Sequence, residues 1–340
     1  ILIPKGAIIR KQGRTYRKFV LHITSYQQLE KNSMAKKFYI KSELSEKQVE
    51  ADVATYFGWI SPSDNSMPFR LIDVNEQLTG ADKRVDLVIP MYLQFKVSHG
   101  LTAINTKFNL NYLSNKPHQR IRKFRKEKEL NDNPTLFFKL REMAANALDY
   151  QHNILLKLNG QENVSAFYVA PLDLKKDCYE RNLFDSIDRF RYHPFDFGMN
   201  RINQRNWVSY FGFVPFLRGH VSIFPHEKVD TARHYYSFDQ NGSDIGWHSS
   251  EYFRVISRLS DTLTNVFGSA FYNKQSWLNP YSYIETLEKD FEFLNSDKNI
   301  NSDLNPIEQI QSFGRELYHR HQIKQVLLTT TFEDLEKLNN

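Results

Sequence analysis

Cysteine is almost absent from this chain of 340 residues, which contains only Cys178. A disulfide within the chain is therefore excluded, and a reducing, cytoplasmic setting is expected. The sequence has no apolar run of about 18 residues and no secretory hydrophobic segment, so membrane insertion is not expected. Its 13 glycines form no phosphate-binding loop, which disfavours an ATP-driven motor. The spacings of its 11 histidines match no compact zinc pattern.

Positive charge is in modest excess overall and is distributed unevenly. The formal net charge is +6, from 45 basic and 39 acidic residues. Six basic residues precede the first acidic residue, Glu30, and a second basic cluster occupies residues 116 to 128. Either cluster could hold phosphates or could be the solvated face of a hairpin or helix. From the second cluster we predict these nucleic-acid contacts: Arg120, Arg122, Lys123, Arg125 and Lys126.

A helix is predicted from residue 45 to about residue 58. Ser45 is a suitable N-cap with Gln48 three residues later, and apolar residues recur at helical spacing before Gly58. Glu46 and Glu50 stand one turn apart on one face of this helix. They form either a solvated stripe or carboxylates directed at a site, and their positions alone leave both interpretations open.

The order of the other elements is typical of an α/β chain with a mixed sheet. Residues 69–74 (FRLIDV) have the pattern of a strand, a long helix is predicted over 133–160, and a buried strand ends at Pro171. Amphipathic helices are predicted at about 250–268 and 305–322. Helix, strand, strand, strand, helices, strand is the order of an α/β core. We therefore divide the chain into a basic N-terminal extension (1–41), a core (42–175) and an aromatic-rich C-terminal α+β region (176–340).

Residues 79–98, TGADKRVDLVIPMYLQFKVS, carry the pattern that is most informative about function. Apolar residues alternate with polar ones, and we predict a hairpin of two strands with its turn at Pro90–Met91. Matching the two apolar faces puts Asp86 on the same side as Gln94 and Lys96. A polar strand face in contact with water produces the same alternation, so the pattern by itself does not establish a site.

These residues, preceded by a helix that carries Glu50, resemble the PD-(D/E)XK nuclease superfamily, which has the restriction-endonuclease-like fold. That family has an Asp on one strand and an acidic-x-Lys triplet on the next. The triplet position is taken here by Gln94-Phe95-Lys96, and the first Asp by Asp82 or Asp86. The resemblance spans about residues 42 to 171.

The resemblance implies a core with a mixed central sheet flanked by helices, followed by an additional C-terminal α+β portion. It implies metal-dependent hydrolysis of phosphodiester bonds, with Mg²⁺ or Mn²⁺ as cofactor, DNA favoured over RNA, and a setting in bacterial defence or restriction. It implies these site residues: Asp82 or Asp86, Gln94 and Glu50 as metal ligands, the Phe95 carbonyl beside them, Lys96 near the attacking water, and Glu76, Gln151 and His152 as neighbours of the site.

Gln94 departs from the common acidic residue of the triplet and removes one negative charge from the implied metal site. Its amide oxygen can still coordinate a hard cation. Glu50 or Glu76 would then have to supply the missing carboxylate. One alternative is a non-catalytic nucleic-acid-binding module with a decayed metal site. Another is a structural or partner-interaction protein, with a partner chain or a second copy of itself, whose basic runs are surface charge only.

Overall fold

The structure is a computed structural model. It describes residues 38–60, 70–73, 85–102, 116–131, 134–145, 147–189, 215–248, 252–253, 256–291 and 304–337. The predicted basic extension therefore lies almost entirely outside the described residues, and so do Glu76 and Asp82. Within the described ranges, no helix has the length and apolar character that crossing a bilayer requires.

The strands are numbered in chain order. They are β1 (Tyr39–Ile40), β2 (Arg70–Asp73), β3 (Leu87–Phe95), β4 (His99–Leu101), β5 (Thr135–Lys139), β6 (Ser165–Pro171), β7 (His220–Ile223), β8 (Tyr235–Asp239), β9 (Ile245–Trp247), β10 (Tyr252–Phe253), β11 (Ser257–Arg258) and β12 (Lys324–Thr330).

The helices are numbered in the same way. They are α1 (Glu46–Ile60), α2 (Lys116–Glu127), α3 (Gln151–Asn159), α4 (Lys176–Arg189), α5 (Pro215–Arg218), α6 (Leu259–Tyr272), α7 (Pro280–Asp290), α8 (Pro306–His321) and α9 (Phe332–Lys337), with a 3₁₀ turn at Lys274–Ser276. The predicted cap of α1 is confirmed, because the Gln48 backbone N–H donates to Ser45 Oγ at 3.2 Å.

The described strands form two six-stranded sheets. The order in the first sheet is β11-β7-β6-β3-β12-β2, and in the second it is β1-β4-β5-β8-β9-β10. Among the described strand pairs, β3 with β6 is parallel and the others are antiparallel. The chain is therefore a mixed α/β protein with two mostly antiparallel sheets flanked by helices.

Strand β3 is one continuous strand of nine residues, so the predicted hairpin with a turn at Pro90–Met91 is wrong. Proline lacks a backbone N–H and is usually excluded from central strands. Val88, two residues earlier, exchanges both backbone hydrogen bonds with Leu278, at 2.9 and 2.8 Å. Strand β6 pairs with β3 only from Met91 onward. Since backbone groups of alternate residues point to the same side, the missing N–H of Pro90 faces the gap between Leu278 and the start of β6.

The two faces of β3 contact different helices. Leu87, Ile89, Met91, Leu93 and Phe95 pack in one cluster with the apolar face of α1. Val88 and Tyr92 pack in a second cluster with residues of α3, of α8 and of the inner face of the second sheet. Helix α3 therefore lies between the two sheets, and α2 packs on the outer face of the second sheet through Ile121.

The predicted boundary at residue 175 does not separate the sheets. Strand β12, from the predicted C-terminal region, lies between β3 and β2, and β7 pairs with β6. In the second sheet β8 pairs with β5. Both sheets therefore combine strands from 42–175 with strands from 176–340.

The predicted long helix over 133–160 is also wrong. Its first part is strand β5, and only its last part, α3, is helical. The sequence of β5, TLFFK, begins with a β-branched residue and contains two aromatic ones, which favour a strand. The β-strand pairs with β4 and β8, so tertiary pairing outweighs the helical tendency of the neighbouring residues.

Candidate functional site at the carboxyl end of strand β3

Residues Gln94 and Lys96 lie where parallel strands β3 and β6 end. The Lys96 backbone N–H donates to the Val169 carbonyl of β6 at 2.9 Å, which carries the pairing one residue past the end of β3. In open α/β sheets, ligands bind beside the carboxyl ends of parallel strands. The Gln-x-Lys triplet therefore occupies the part of this sheet where a site is most expected.

Lys96 is a buried cation, with 4% of its surface exposed. Its Nζ lies 3.9 Å from Glu46 Oε1 at the start of α1, which is too far for a hydrogen bond. Burial lowers the pKa of Lys96, Glu46 raises it, and the nearby guanidinium of Arg141 lowers it. Buried lysines with perturbed pKa values are characteristic of functional sites, although structural ion pairs also produce them.

Gln94 belongs to a buried chain of amide hydrogen bonds. Its Nε2 donates to the Phe95 carbonyl at 3.0 Å, and its Oε1 accepts from Nε2 of Gln151, the first residue of α3. The same Gln151 Nε2 also donates to the His321 carbonyl at the end of α8. Gln94 Oε1 and the Phe95 carbonyl, both implied as metal ligands, therefore accept hydrogen bonds from within the chain.

The side-chain oxygen of Gln151 is a buried acceptor. The residue is 4% exposed, and among the described residues its Oε1 has no hydrogen-bond partner. Because its Nε2 is committed twice, the orientation of the amide is fixed and Oε1 is a buried acceptor with a defined direction. The structure thus places Gln151 beside Gln94.

Glu50 lies on the other face of the sheet from Gln94. Its Oε1 is 3.9 Å from Nζ of Lys324, the first residue of β12. Lys324 pairs with Leu93, and paired residues share a face, so Glu50 approaches the α1 side of the sheet. Gln94 points to the α3 side. The structure therefore does not bring Glu50 and Gln94 to one point.

Asp86 lies at the opposite end of β3. The eight steps from Leu87 to Phe95 span about 26 Å at the usual strand rise, so Asp86 is far from Lys96 although both share one parity. Its Oδ2 accepts the backbone N–H of Phe332 at 3.0 Å, at the start of α9. The structure does not bring Asp86 to Gln94 and Lys96.

The described residues do not fit a Mg²⁺ or Mn²⁺ ion at this site. No group of three or more His, Cys, Asp or Glu side chains converges in the part of the chain that the structure describes. Glu46 and Glu50 each face a lysine, and the oxygens of Gln94 and Phe95 are engaged. Magnesium needs several hard oxygen ligands, usually including carboxylates. A metal site here would need further carboxylates, and Asp82 and Glu76 lie outside the described residues.

His152 points away from this site, into the core between the sheets. Its Nε2 donates to the Glu227 carbonyl at 3.0 Å, so Nδ1 accepts from the Tyr168 hydroxyl at 2.9 Å. Its ring stacks on Trp247, with 5.4 Å between the centroids. Burial lowers the pKa of His152 to about 4. Both ring nitrogens are therefore occupied, and His152 serves packing.

The basic helix α2 separates into buried and exposed arginines and lysines. Arg122 is buried and donates to the Thr102 carbonyl. Arg125 is fully buried and pairs with Asp244. These two side chains anchor the helix to the second sheet, so their prediction as nucleic-acid contacts is wrong. Arg120, Lys123 and Lys126 are exposed, and the Nζ of Lys123 lies 3.7 Å from Oε1 of the exposed Glu127, one turn further along the helix.

Arg141 is a cation of the site that the sequence did not indicate. It is exposed, and no carboxylate pairs with it in the described part of the chain. It lies close enough to Lys96 and to His321 to lower the pKa of both. Arg141 falls within the segment that was predicted as helix, and it follows β5 in a loop, so its approach to Lys96 depends on long-range pairing.

A cleft of about 320 Å³ opens beside the amide chain, between α3, α7 and α8. His321 lines it, and burial lowers the pKa of His321 to about 4. The other charged residues of the lining are Lys157, Lys289, Arg320, Asp149 and Asp290. Three cations face two carboxylates there, which adds to the positive character of the surroundings of the site.

Comparisons of the chain with protein-family models, with curated proteins and with solved structures found no match.

Proposed function

We propose that the chain binds nucleic acid along a basic surface that extends from the exposed face of α2 to the carboxyl end of β3. The observation that carries this proposal is that the cations of α2 fall into a buried set and an exposed set. Arg122 and Arg125 are buried and make contacts within the protein. Arg120, Lys123 and Lys126 of the same helix are exposed to solvent. These exposed cations form a positively charged face on which phosphates could bind.

The cations near Lys96 support the same conclusion. Lys41 and Arg141 are exposed, and each acts electrostatically on a buried or partly buried residue, Lys41 on His99 at the start of β4 and Arg141 on Lys96. Phosphate groups are the natural counter-charge for such a surface. Binding of this kind releases condensed counterions, depends steeply on salt and carries little sequence preference.

A second candidate function is hydrolysis of the bound strand, and one observation favours it. Lys96 is a buried ammonium at the carboxyl ends of two parallel strands, two residues after Gln94, as in the triplet of the PD-(D/E)XK superfamily. An ammonium in that position could offset charge that develops on a phosphate in the transition state. Because the described residues do not fit the metal, hydrolysis would require Asp82 or Glu76 to complete the site.

Binding and cleavage can be tested in one set of experiments. Labelled DNA and RNA, single- and double-stranded, are mixed with the protein at low salt in EDTA, and separately with Mg²⁺ or Mn²⁺. We expect binding in EDTA. Absence of binding to every probe would overturn the proposal. Metal-dependent cleavage that Lys96→Met abolishes, while binding survives, would establish the second candidate.

The control for Lys96→Met is Lys274→Met. Lys274 is an exposed lysine in the 3₁₀ turn and belongs to no part of the proposed surface. Binding without cleavage in any metal would indicate the non-catalytic module. Cleavage that Lys96→Met leaves unchanged would exclude this lysine, and with it the carboxyl end of β3, as the hydrolytic site.

A further inference from the structure

A patch of aromatic and imidazole rings lies on the outer face of the second sheet. It consists of Tyr39 of β1, His99 of β4, His118 of α2, Phe137 of β5 and Tyr235 of β8, and we call it the aromatic patch. His99 pairs directly with Phe137 across the strands, so their side chains share the face on which α2 packs. His118 reaches the same place from the first turn of α2.

The aromatic patch has one buried ring, and the other rings pack around it and are partly exposed. Phe137 is buried and supports the others, with its centroid 5.2 Å from that of His118 and 6.1 Å from that of His99. Tyr39 lies nearly parallel to His118, with 5.4 Å between centroids and an interplanar angle of 9°. Tyr39, His99, His118 and Tyr235 are each only partly buried.

Both imidazoles of the aromatic patch are held in their uncharged form near neutral pH. Burial lowers the pKa of His99, and Lys41 lowers it further, while the weaker effect of Glu46 opposes them. Burial also lowers the pKa of His118, with further lowering by Arg122 and His99. The patch therefore presents neutral planar rings in a neighbourhood of permanent cations.

The aromatic patch connects the two parts of the proposed binding surface. On one side Glu46 acts on both His99 and Lys96, so these residues share one neighbourhood. On the other side His118 lies two residues before Arg120, an exposed cation of α2. Each imidazole of the patch therefore has an exposed cation in its neighbourhood, Lys41 for His99 and Arg120 for His118.

Partly exposed rings beside exposed cations match the chemistry of one ligand class. Phosphates pair with the cations, and nucleobases stack on the rings. A duplex hides the faces of its bases, so stacking requires unpaired nucleotides. Phe137 is the buried ring of this cluster, and Tyr39 and Tyr235 pack against it at the partly exposed rim.

We propose that the aromatic patch stacks bases of an unpaired nucleic-acid strand whose phosphates contact the exposed cations of α2. This inference rests on the proposed function and narrows it to single-stranded ligands. Each stacked base is worth about 1–3 kcal/mol by alanine substitution, and a tenfold loss of affinity, about 1.4 kcal/mol, lies in the lower half of that range.

The test is fluorescence anisotropy with a labelled oligothymidylate and with a blunt duplex, both in EDTA so that cleavage plays no part. We expect the single strand to bind more tightly than the duplex. Tyr39→Ala should weaken binding of the single strand about tenfold, and Tyr39→Phe should retain it. Tyr281→Ala is the matched control, because Tyr281 is an exposed tyrosine on α7, outside the patch.

His118→Ala gives an independent measurement in case Tyr39→Ala fails to fold, since it removes a second ring from another element. A duplex bound as tightly as the single strand, or unchanged affinity in both variants, would overturn this inference and leave nucleic-acid binding itself intact. Absence of binding to both probes would overturn the proposed function together with it. Loss of binding in Tyr281→Ala would also contradict the patch.

Discussion

Arg125 and Arg120 stand five positions apart on α2 and have opposite environments. Arg125 pairs with Asp244, donates to the Asn131 carbonyl and contacts Ser237, whereas Arg120 is exposed. Arg125→Met leaves a buried carboxylate without its cation, and we expect a loss of about 3–5 kcal/mol in the free energy of unfolding. Urea denaturation measures this loss.

Arg120→Met is the control for that substitution and should change the free energy of unfolding by no more than about 0.5 kcal/mol. It should instead weaken nucleic-acid binding. If Arg125→Met unfolded at the urea concentration of the unmodified protein but lost nucleic-acid affinity, the assignment of Arg125 as an internal anchor would be refuted.

His220 makes the stability of the protein depend on pH. Its ring is buried, Nδ1 donates to the Phe216 carbonyl at 2.7 Å, and burial lowers its pKa to about 4. In the unfolded chain the imidazole of His220 takes up a proton near pH 6.5, whereas in the folded protein it does so only near pH 4. Protonation therefore favours the unfolded state, so the free energy of unfolding is highest above about pH 6.5 and decreases as the pH falls toward 4. The full loss for one such group is roughly 3 kcal/mol.

His220→Asn keeps a donor for the Phe216 carbonyl but does not titrate. We therefore expect the free energy of unfolding of this variant to fall less than that of the unmodified protein between about pH 7 and about pH 5. The exposed His319→Asn is the control and should follow the unmodified protein. Equal pH dependence in all three proteins would contradict the assignment.

Individual residues of the candidate site could be predicted only in part. Alternation along β3 indicates that Asp86, Gln94 and Lys96 share a parity, and this holds for a hairpin and for a straight strand alike. In a hairpin Asp86 would lie close to Gln94 and Lys96, whereas in a straight strand it lies at the opposite end. The pairing of Gln94 with Gln151 and the approach of Arg141 to Lys96 depend on contacts distant in sequence, which no local pattern contains.

The continuity of β3 decides which residues of this element can act together. Met91 and Leu93 pair with Val326 and Lys324 in the middle of the sheet. We expect the amide hydrogens of both residues to exchange only on global unfolding, since central strands open last. Rapid exchange at Met91, as in a solvated turn, would contradict the continuous strand and restore the predicted hairpin.

At the scale of elements, those with strong local signals were predicted and those that depend on pairing were not. Helix α1 has a cap and a periodic apolar face, and α8 begins at Pro306, within one residue of the predicted start, with Asn305 as its N-cap. Strand β12 received no prediction, although its residues are buried throughout. Short apolar runs of this kind do not distinguish a strand from a helix by periodicity.

The whole molecule should fold as one unit, because strands from both predicted regions interleave. A fragment of residues 42–175 lacks β12, which pairs with β3 along seven residues, and lacks β7 and β8. We expect this fragment to show no cooperative unfolding transition in urea, since β3 would lose one of its neighbours and expose its apolar face. A cooperative transition in the fragment would instead support the boundary at residue 175.

The predicted contacts on α2 include two arginines, Arg122 and Arg125, that the structure buries. Charge clustering marks α2 without indicating which cations point outward, because that depends on the face that the second sheet covers. Ile121 and Arg125 lie on the covered face, and Lys123 and Lys126 on the solvated one. Helical periodicity distinguishes the covered face of a helix from its solvated face only when apolar residues dominate the covered face. In α2 cations occur on both faces, so the periodicity does not distinguish them.

The most direct test of the account is the salt dependence of single-strand binding by the unmodified protein and by a variant with Arg120→Gln, Lys123→Gln and Lys126→Gln. Each phosphate contact contributes about 0.7 to the slope of log affinity against log salt for single strands, so the variant should lose about 2 from that slope and bind more weakly. An unchanged slope, or no binding by the unmodified protein at the lowest salt concentration, would contradict the central claim that this surface binds nucleic acid.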